Sequence, residues 1–385
     1  MQAVILAGGE GTRLRPLTHG RPKALIPVAN RPIIEYTIDA LRSNGIREII
    51  VVVGYRKEQV TRYLNNLDLP IKVVIQDRQL GTAHALKCAE PLISGDFLLL
   101  PGDNYIDAES IALVMKTRNG MLVKEHQSPS NFGVVILRDT RVVRIMEKPL
   151  KAPAMTVSTG IFSLTPEVFR YDAGNDITDT IAAMLADGVE IRAIEAIDWQ
   201  DAIYPWDILA MNSRLLRGIH PGKEGVISRN ATVTGAVRFG KGTTVGPHAV
   251  ISGPVVIGER CEIGSHTVIS PNTSIGSRVR IEPFSFIGNS MIMDDVRIGS
   301  HSRITDAVIG EGCQLPDHQA VYSHPGTVKI EDHLHETSFG AILGDAVKGA
   351  PFTSFRGSII GNNVSIRTAQ REFLDVRIPD DALVV

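Results

Sequence analysis

The residues best suited to chemistry crowd into the first 27 positions. Gly8, Gly9 and Gly11 fall within four residues, and Thr12, Arg13, Arg15, Arg21 and Lys23 follow. Glycines let a backbone bend tightly and approach a ligand closely. Successive amides in such a loop cradle phosphate oxygens. Cations directly behind it suit a polyanion such as a nucleoside triphosphate. Pro16 and Pro22 break the helix that a dinucleotide fingerprint would require, and no G-x-x-x-x-G-K-[ST] string occurs. The plain alternative is a tight turn with solvated cations.

Further candidates lie downstream. Gln76 carries an amide that both donates and accepts, and Gly81 permits close backbone approach, so Gln76-Asp77-Arg78-Gln79-Leu80-Gly81-Thr82 suits a flat base. Asp103, in Pro101-Gly102-Asp103-Asn104, stands where an acidic residue beside phosphates would bind Mg²⁺. Asp201, in Trp199-Gln200-Asp201, is a second carboxylate. Glu147 and Lys148 pair an acceptor with a cation, and Gly133 follows Asn131-Phe132. Read without context, Asp103 is a turn residue, Thr82 a helix cap, and Glu147-Lys148 an exposed hairpin tip.

These residues need a scaffold. Apolar Ala3–Leu6, Glu48–Val53, Ile71–Ile75 and Phe97–Leu100 read as strands. Between them, Ile33, Ile34, Thr37, Ile38 and Leu41 recur at helical spacing after Pro32, and Val60, Tyr63 and Leu64 mark a second helix. Such alternation predicts a mostly parallel, Rossmann-like α/β sheet covered on both faces. Ligands of these sheets bind beyond the carboxyl ends of the strands, where Gly8, Gln76 and Asp103 fall. Shorter strands are expected over 121–164, and helices near Pro166–Tyr171 and Asp179–Ala186. Asp207 reads as a helix-start residue near the domain boundary.

The second half repeats. From Ile227, every sixth residue through Val233, Phe239, Val245, Ile251, Ile257, Ile263, Ile269, Ile275, Ile281 and Ile287 is large and apolar. A small or β-branched residue stands two positions before most of them. This hexapeptide period predicts a parallel β-helix. The period slips by one at Ile292 and again at Ile309, and it fades over 314–339, a stretch holding His318, His324, His333 and His335. A metal site there matches no standard ligand spacing. Ile342-Leu343 and Ile359-Ile360 suggest further coils, with a cap from Arg371.

The string Gly9-Glu10-Gly11-Thr12-Arg13, nine residues and then Lys23 resembles the signature of the sugar-1-phosphate nucleotidylyltransferases. With the Gln76–Ala85 segment, the Gly102-Asp103 pair, the W-x-D segment and the repeat, the resemblance covers nearly the whole chain. It implies a nucleotidylyltransferase domain over 1–218 and a left-handed β-helix over 219–385. The implied reaction joins an NTP to a sugar 1-phosphate and releases pyrophosphate. The form Q-x-x-Q-L-G-T-x-H-A is similar to the uridylyltransferase version. The expected product is therefore UDP-glucose or UDP-N-acetylglucosamine, with dTTP and dTDP-glucose as the alternative. Ser158 replaces the usual Asn before Thr159-Gly160.

By resemblance, Arg13 and Lys23 carry catalysis. Leu6, Ala7, Gly8, Gly9, Gly11, Thr12, Gln76, Gly81 and Thr82 hold the nucleotide. Gly133, Glu147, Lys148 and Thr159 hold the sugar phosphate, and Asp103 and Asp201 hold Mg²⁺. The β-helices of such proteins commonly assemble as trimers, and some are acetyl-CoA-dependent acetyltransferases acting on glucosamine 1-phosphate. Their H-x-x-Y-x-G-D motif meets Pro283-Phe284-Ser285-Phe286-Ile287-Gly288-Asn289 here, with Pro283 and Phe286 at the His and Tyr positions. Neither can take a proton, although a histidine of 318–335 could serve instead. A catalytically idle regulatory or assembly subunit is a further alternative, set against the retention of all five charged residues Arg13, Lys23, Asp103, Lys148 and Asp201.

Over 385 residues the net charge is −2, which gives no case for nucleic-acid binding or a basic membrane patch. Cys88, Cys261 and Cys313 are scattered, which suits a reducing cytoplasm rather than a disulfide framework. No apolar run approaches membrane-spanning length.

Overall fold

In the computed structural model the chain forms two compact units. Met1–Glu10, Arg21–Leu25 and Pro32–Asp201 make the first; Gly11–Gly20, Ile26–Arg31 and Ala202–Val385 make the second. The structure describes every residue except Asp332, and of Lys223 only the backbone.

The first unit is built on a nine-stranded sheet. Its order is Ile71–Ile75, Glu48–Val53, Gln2–Ala7, Phe97–Pro101, Thr156–Leu164, Gly120–Glu125, Arg192–Glu195, Arg141–Glu147 and Gly133–Arg138. The first four strands run parallel; the inner three are buried along their apolar runs, as expected for strands covered on both faces, and the edge strand Ile71–Ile75, broken by Lys72, is partly exposed. Thr156–Leu164 then runs antiparallel to Phe97–Pro101 and to Gly120–Glu125. Helix Ile33–Ser43 starts after Pro32 and buries Ile33, Ile34, Thr37, Ile38 and Leu41. Pro166–Arg170 is a 3₁₀ turn, not an α-helix. The next helix, Ile177–Ala186, begins earlier than the expected Asp179, because Asp176 and Asp179 form a capping box.

In the second unit, helix Asp207–Leu216 opens where Asp207 Oδ2 accepts from the backbone amides of Ile203 and Tyr204, at 2.9 and 2.8 Å. The rest is a left-handed parallel β-helix with three sheets of nine, six and eight strands. Ile227 pairs with Val245, Val245 with Ile263 and Ile263 with Ile281, so three hexads make one coil. After Ile275 the partner is Ile292 and the coil shortens by one residue, which is the slip seen in the repeat. The apolar positions form one buried column from Val237 to Phe373.

The small residues of the repeat also have a physical role. Thr243 Oγ1 donates to Gly258 O at 2.7 Å, Ser285 Oγ to Gly299 O at 3.0 Å, and Cys261 Sγ to Gly276 O at 3.0 Å. Each is a compact donor that satisfies an inward carbonyl of the next coil. Cys261 and Cys313 are buried in these positions, and burial pushes the Cys261 thiol pKa up. At one corner, His248, His266, Phe284, His301, His318 and Phe352 all adopt positive φ near 60°. Their rings stack in a ladder, with centroids 4.4 to 5.3 Å apart.

The break in the repeat is narrower than 314–339. Gln314–Leu315 and Ala320–Tyr322 remain coil strands, with Leu315 and Val321 in the core. The excursion is one antiparallel hairpin, His324–Ile330 with His333–Phe339. Beyond Arg371 the chain adds coil strands Glu372–Leu374, Arg377–Ile378 and Leu383–Val384 instead of a separate cap. The four histidines part company. His318 joins the ring ladder, His324 pairs with Asp375 at 3.3 Å, and His335 lies tilted against the Tyr204 ring, centroids 4.2 Å apart. Among the described residues, no group of three or more His, Cys, Asp or Glu is placed to hold a metal ion.

Candidate active site

Three of the predicted residues converge in the first unit. Lys23 Nζ lies 2.7 Å from Asp201 Oδ1 and 3.1 Å from Asp103 Oδ2. The elements explain why. Asp103 follows strand Phe97–Pro101 at the carboxyl edge of the sheet. Asn104–Ile106 then pairs antiparallel with Trp199–Asp201, setting Asp201 opposite Asn104. That short ladder brings the second carboxylate beside the first from about a hundred residues away. Lys23 is 9% exposed. Burial alone would lower its pKa, but the charges of Asp103 and Asp201 and hydrogen bonds to both outweigh this and raise it well above the ordinary lysine value. The ammonium therefore stays charged.

Two carboxylates held on one point suit Mg²⁺, which takes one or two protein carboxylates and completes its shell with phosphate oxygens and water. Asp103 and Asp201 keep their side chains 37% and 22% exposed, open to such a ligand.

Beyond the neighbouring strand ends lies the segment from Gln76 to Thr82. Gln76 is 5% exposed. Its Nε2 is 3.0 Å from Gly81 O and 3.0 Å from His84 Nδ1. The carbonyl of Gly81 can only accept, so the amide orientation is determined, and both amide hydrogens are engaged. Oε1 is left facing Gly8, where a Cβ would stand 2.9 Å from it. Gly81 adopts φ +115, and a Cβ there would collide with Asn175 O. Thr82 does not cap its own helix. Its hydroxyl meets Asp176 Oδ1 at 3.3 Å and accepts from Ile177 N at 2.8 Å. Leu6 O accepts from Gly102 N at 2.8 Å, holding the end of strand Gln2–Ala7 against the Asp103 turn.

A third group gathers at the far strands. Gly133 is in register with Glu147. Glu147 Oε1 pairs with Lys148 Nζ at 2.8 Å, and Oε2 accepts from Thr178 Oγ1 at 3.0 Å. Thr159 is set apart from them: its hydroxyl donates to Leu122 O at 3.0 Å inside the sheet, and its carbonyl accepts from Asn104 Nδ2 at 3.2 Å.

Gly11, Thr12 and Arg13 fall in the second unit. Gly11 has φ +67 and opens the 3₁₀ turn Thr12–Leu14. Thr18 Oγ1 donates to Gly11 O at 2.7 Å, and Leu14 and Leu17 are buried.

Sequence reasoning passed over Thr178, His84 and His126. His126 packs edge-on against Phe132 at 4.7 Å and Trp199 at 6.4 Å. Burial lowers its pKa, and the charge of Asp201 opposes the fall; Ser128 N donates to Nδ1 at 3.0 Å. His84 stood in the quoted segment. Thr178 and His126 carry no local signal, since Thr178 reaches Glu147 only when helix Ile177–Ala186 packs on the sheet, and His126 meets Phe132 and Trp199 only in the folded unit.

Residues 2–216 match the nucleotidyl transferase family, and residues 251–372 match the GMPPB C-terminal domain. Over its full length the chain is 34% identical to the bifunctional protein GlmU of Methanococcus maripaludis strain C5, spanning 93% of that protein. It is 35% identical to the UTP–glucose-1-phosphate uridylyltransferase AglF of Haloferax volcanii, over 54% of this chain and 93% of the relative. A solved structure described as a putative glucose-1-phosphate thymidylyltransferase from Bacillus anthracis superposes with a TM-score of 0.52 at 26% identity, covering 58% of this chain and 98% of that one. The chain therefore belongs to the nucleotidyl transferase family. Within it, the chain is a sugar-1-phosphate nucleotidyltransferase, an enzyme with a GlmU-like architecture.

Proposed function

We propose that this enzyme takes UTP, with dTTP as the alternative, and glucose 1-phosphate or N-acetylglucosamine 1-phosphate, and makes the NDP-sugar and pyrophosphate. The observation that carries the nucleotidyl-transfer reading is the convergence of Lys23, Asp103 and Asp201. The base reading is supported by Gln76, whose two amide hydrogens are engaged and whose oxygen remains to accept. Uracil and thymine offer it the N3–H, whereas cytosine has an acceptor at that position.

In the reaction a phosphate oxygen of the sugar 1-phosphate attacks the α-phosphorus of the NTP. The new P–O bond forms as the bond to the β-phosphate oxygen breaks, and pyrophosphate leaves with the electron pair. The nucleophile is already anionic near neutral pH, so no strong base is needed. The barrier lies in pressing one anion onto another, which positioning and fixed positive charge reduce. Lys23, permanently charged, and Arg13 neutralise the triphosphate and the departing pyrophosphate. Lys148 holds the sugar phosphate, and Glu147 accepts from sugar hydroxyls. Gly8, Gly9, Gly11 and Thr12 cradle the triphosphate through backbone amides. Asp103 and Asp201 would hold Mg²⁺, which when bound supplies charge neutralisation on phosphate oxygens.

In this reading residues 1–218 are the catalytic domain and 219–385 are a platform that assembles copies of the chain, as trimers. The platform role is supported by Pro283 and Phe286, which occupy the positions of the base and its Tyr partner in the acetyltransferase motif.

The test is pyrophosphate release with Mg²⁺ across a panel of NTPs and sugar 1-phosphates. Turnover is expected with UTP and a hexose 1-phosphate. Turnover confined to CTP would overturn the base assignment, and no release with any pair would overturn the reaction.

A further inference from the structure

The loop that carries Arg13 leaves the first unit after Glu10 and rejoins it at Arg21, and its contacts place Gly11–Gly20 with the β-helix. The anchors are specific. Asn362, 6% exposed, donates from Nδ2 to Pro16 O at 3.2 Å. The same nitrogen donates to Asp380 Oδ1 at 3.0 Å, which also accepts from Asn362 N at 2.6 Å. Asn362 Oδ1 accepts from Asp345 N at 2.7 Å. Asp380 Oδ2 in turn meets His19 Nδ1 at 3.0 Å. Gly20 lies beside Asp345, where a Cβ would stand 3.2 Å from Oδ2.

Three successive coils thus present Asp345, Asn362 and Asp380 as one column along the loop. Each of these residues begins the same corner of its coil, and the hydrogen bonds between them run from coil to coil. The column's last free valences go to Pro16 and His19, and these two residues bracket Leu17, whose side chain is buried. The hairpin adds a further boundary. Burial lowers the pKa of His335, and the charges of His333 and then Arg13 add to it. Arg13 therefore lies within electrostatic reach of the hairpin.

We propose that Asn362 and Asp380 are positioning residues for nucleotidyl transfer: the last coils of the β-helix hold the Gly11–Gly20 loop in its nucleotide-binding shape. A glycine-rich loop has high conformational entropy when free. Holding it before the triphosphate arrives removes an ordering cost from binding. The anchor therefore acts first on NTP affinity, and it reaches the chemical step only through the placement of Arg13. It rests on the nucleotidyl-transfer reading for its kinetic part only.

The test uses the full-length protein in three variants. Asn362→Asp keeps the acceptor for Asp345 N, and it replaces the donor to both Pro16 O and Asp380 Oδ1 by a carboxylate oxygen; Asn363→Asp reproduces the carboxylate pair without the loop contact. His19→Ala removes the other anchor from an exposed position. Asn363→Asp is the control: Asn363 Nδ2 bonds Asp381 Oδ1 at 3.0 Å in the neighbouring column, as Asn362 bonds Asp380.

In Asn362→Asp and His19→Ala, hydrogen–deuterium exchange should quicken over 11–20 and stay unchanged over 227–310. KM for the NTP should rise about five- to tenfold, on the order of one hydrogen bond to the loop, with kcat falling by a smaller factor. Asn363→Asp should match wild type in both. Unchanged exchange over 11–20 in the first two variants, or an equal rise in KM in Asn363→Asp, overturns the proposal. Should the wild-type chain turn over no substrate pair, the nucleotidyl-transfer reading fails, and the exchange measurement alone decides the anchor.

Discussion

Lys23, Asp103 and Asp201 form a cluster in which one cation answers two carboxylates, so removing Lys23 leaves two like charges side by side. Lys23→Ala and Asp103→Ala should each lower kcat about 10²- to 10³-fold, the usual cost of losing one preorganised charge on a reacting phosphoryl group. Circular dichroism should show the fold intact in both, and near wild-type turnover in both would mean that the cluster is structural. The sequence showed each residue as a candidate, through the glycine loop, the strand end and the W-x-D segment. It did not show that Lys23 bridges both carboxylates, because Lys23 and Asp201 are 178 residues apart. His126 gives a pH prediction at the same scale. Its pKa is lowered on folding, chiefly by burial, so the folded protein holds the neutral ring while the unfolded chain binds a proton at higher pH. The stability it contributes is whole above the ordinary imidazole pKa of about 6.5 and is lost as pH falls through it toward the folded value. Melts taken from about pH 8 down to about pH 5 should show Tm falling, and His126→Phe should lessen the fall.

At the scale of elements, two devices carry the molecule: the parallel strands that end on the site and the coils that repeat every three hexads. The strands were legible because a strand buried on both faces must be apolar throughout. The coils were legible because each places one residue in six on the axis. Ile281 stands in that column, flanked in register by Ile263 and Ile298. Ile281→Ala should cost about 2–5 kcal/mol, as buried isoleucine truncations do. Denaturation monitored on the β-helix should detect it, and a loss below about 1 kcal/mol would mean that the column is loosely packed. The 3₁₀ turn at Pro166–Arg170 and the hairpin His324–Phe339 were not legible. A turn begun by proline has the same first residues as a helix, and the hairpin's partner strand is specified only by pairing. The exposed ring ladder was missed for a related reason. Its residues sit at the positive-φ corner, where periodicity marks a position and says nothing of which rings will meet.

At the scale of the whole molecule, the platform reading predicts an assembled species and a single chemistry. Light scattering on the full-length protein should give a mass of three chains, and a monomer at micromolar concentration would remove the platform role. Acetyl-CoA and glucosamine 1-phosphate should give no free CoA, because Pro283 and Phe286 cannot exchange a proton; CoA release would assign a base elsewhere in the β-helix. No described helix is long and apolar enough to cross a membrane. The sequence by itself determined the two architectures and the reaction class. Strand alternation, the six-residue period and glycine spacing are local patterns, set by backbone geometry that neighbours in the chain already share. Only the tertiary structure decided which distant residues meet. The ladder of Asn104–Ile106 with Trp199–Asp201 sets the two carboxylates on one lysine, and Gly81 turns the Gln76 amide so that its oxygen is presented. Coil-to-coil bonding carries Asn362 and Asp380 to the loop after Gly11. The first and last of these depend on pairing across long sequence separations, where the physical choice is made by which buried polar groups find partners; the Gln76–Gly81 bond spans five residues and is set by how that loop folds.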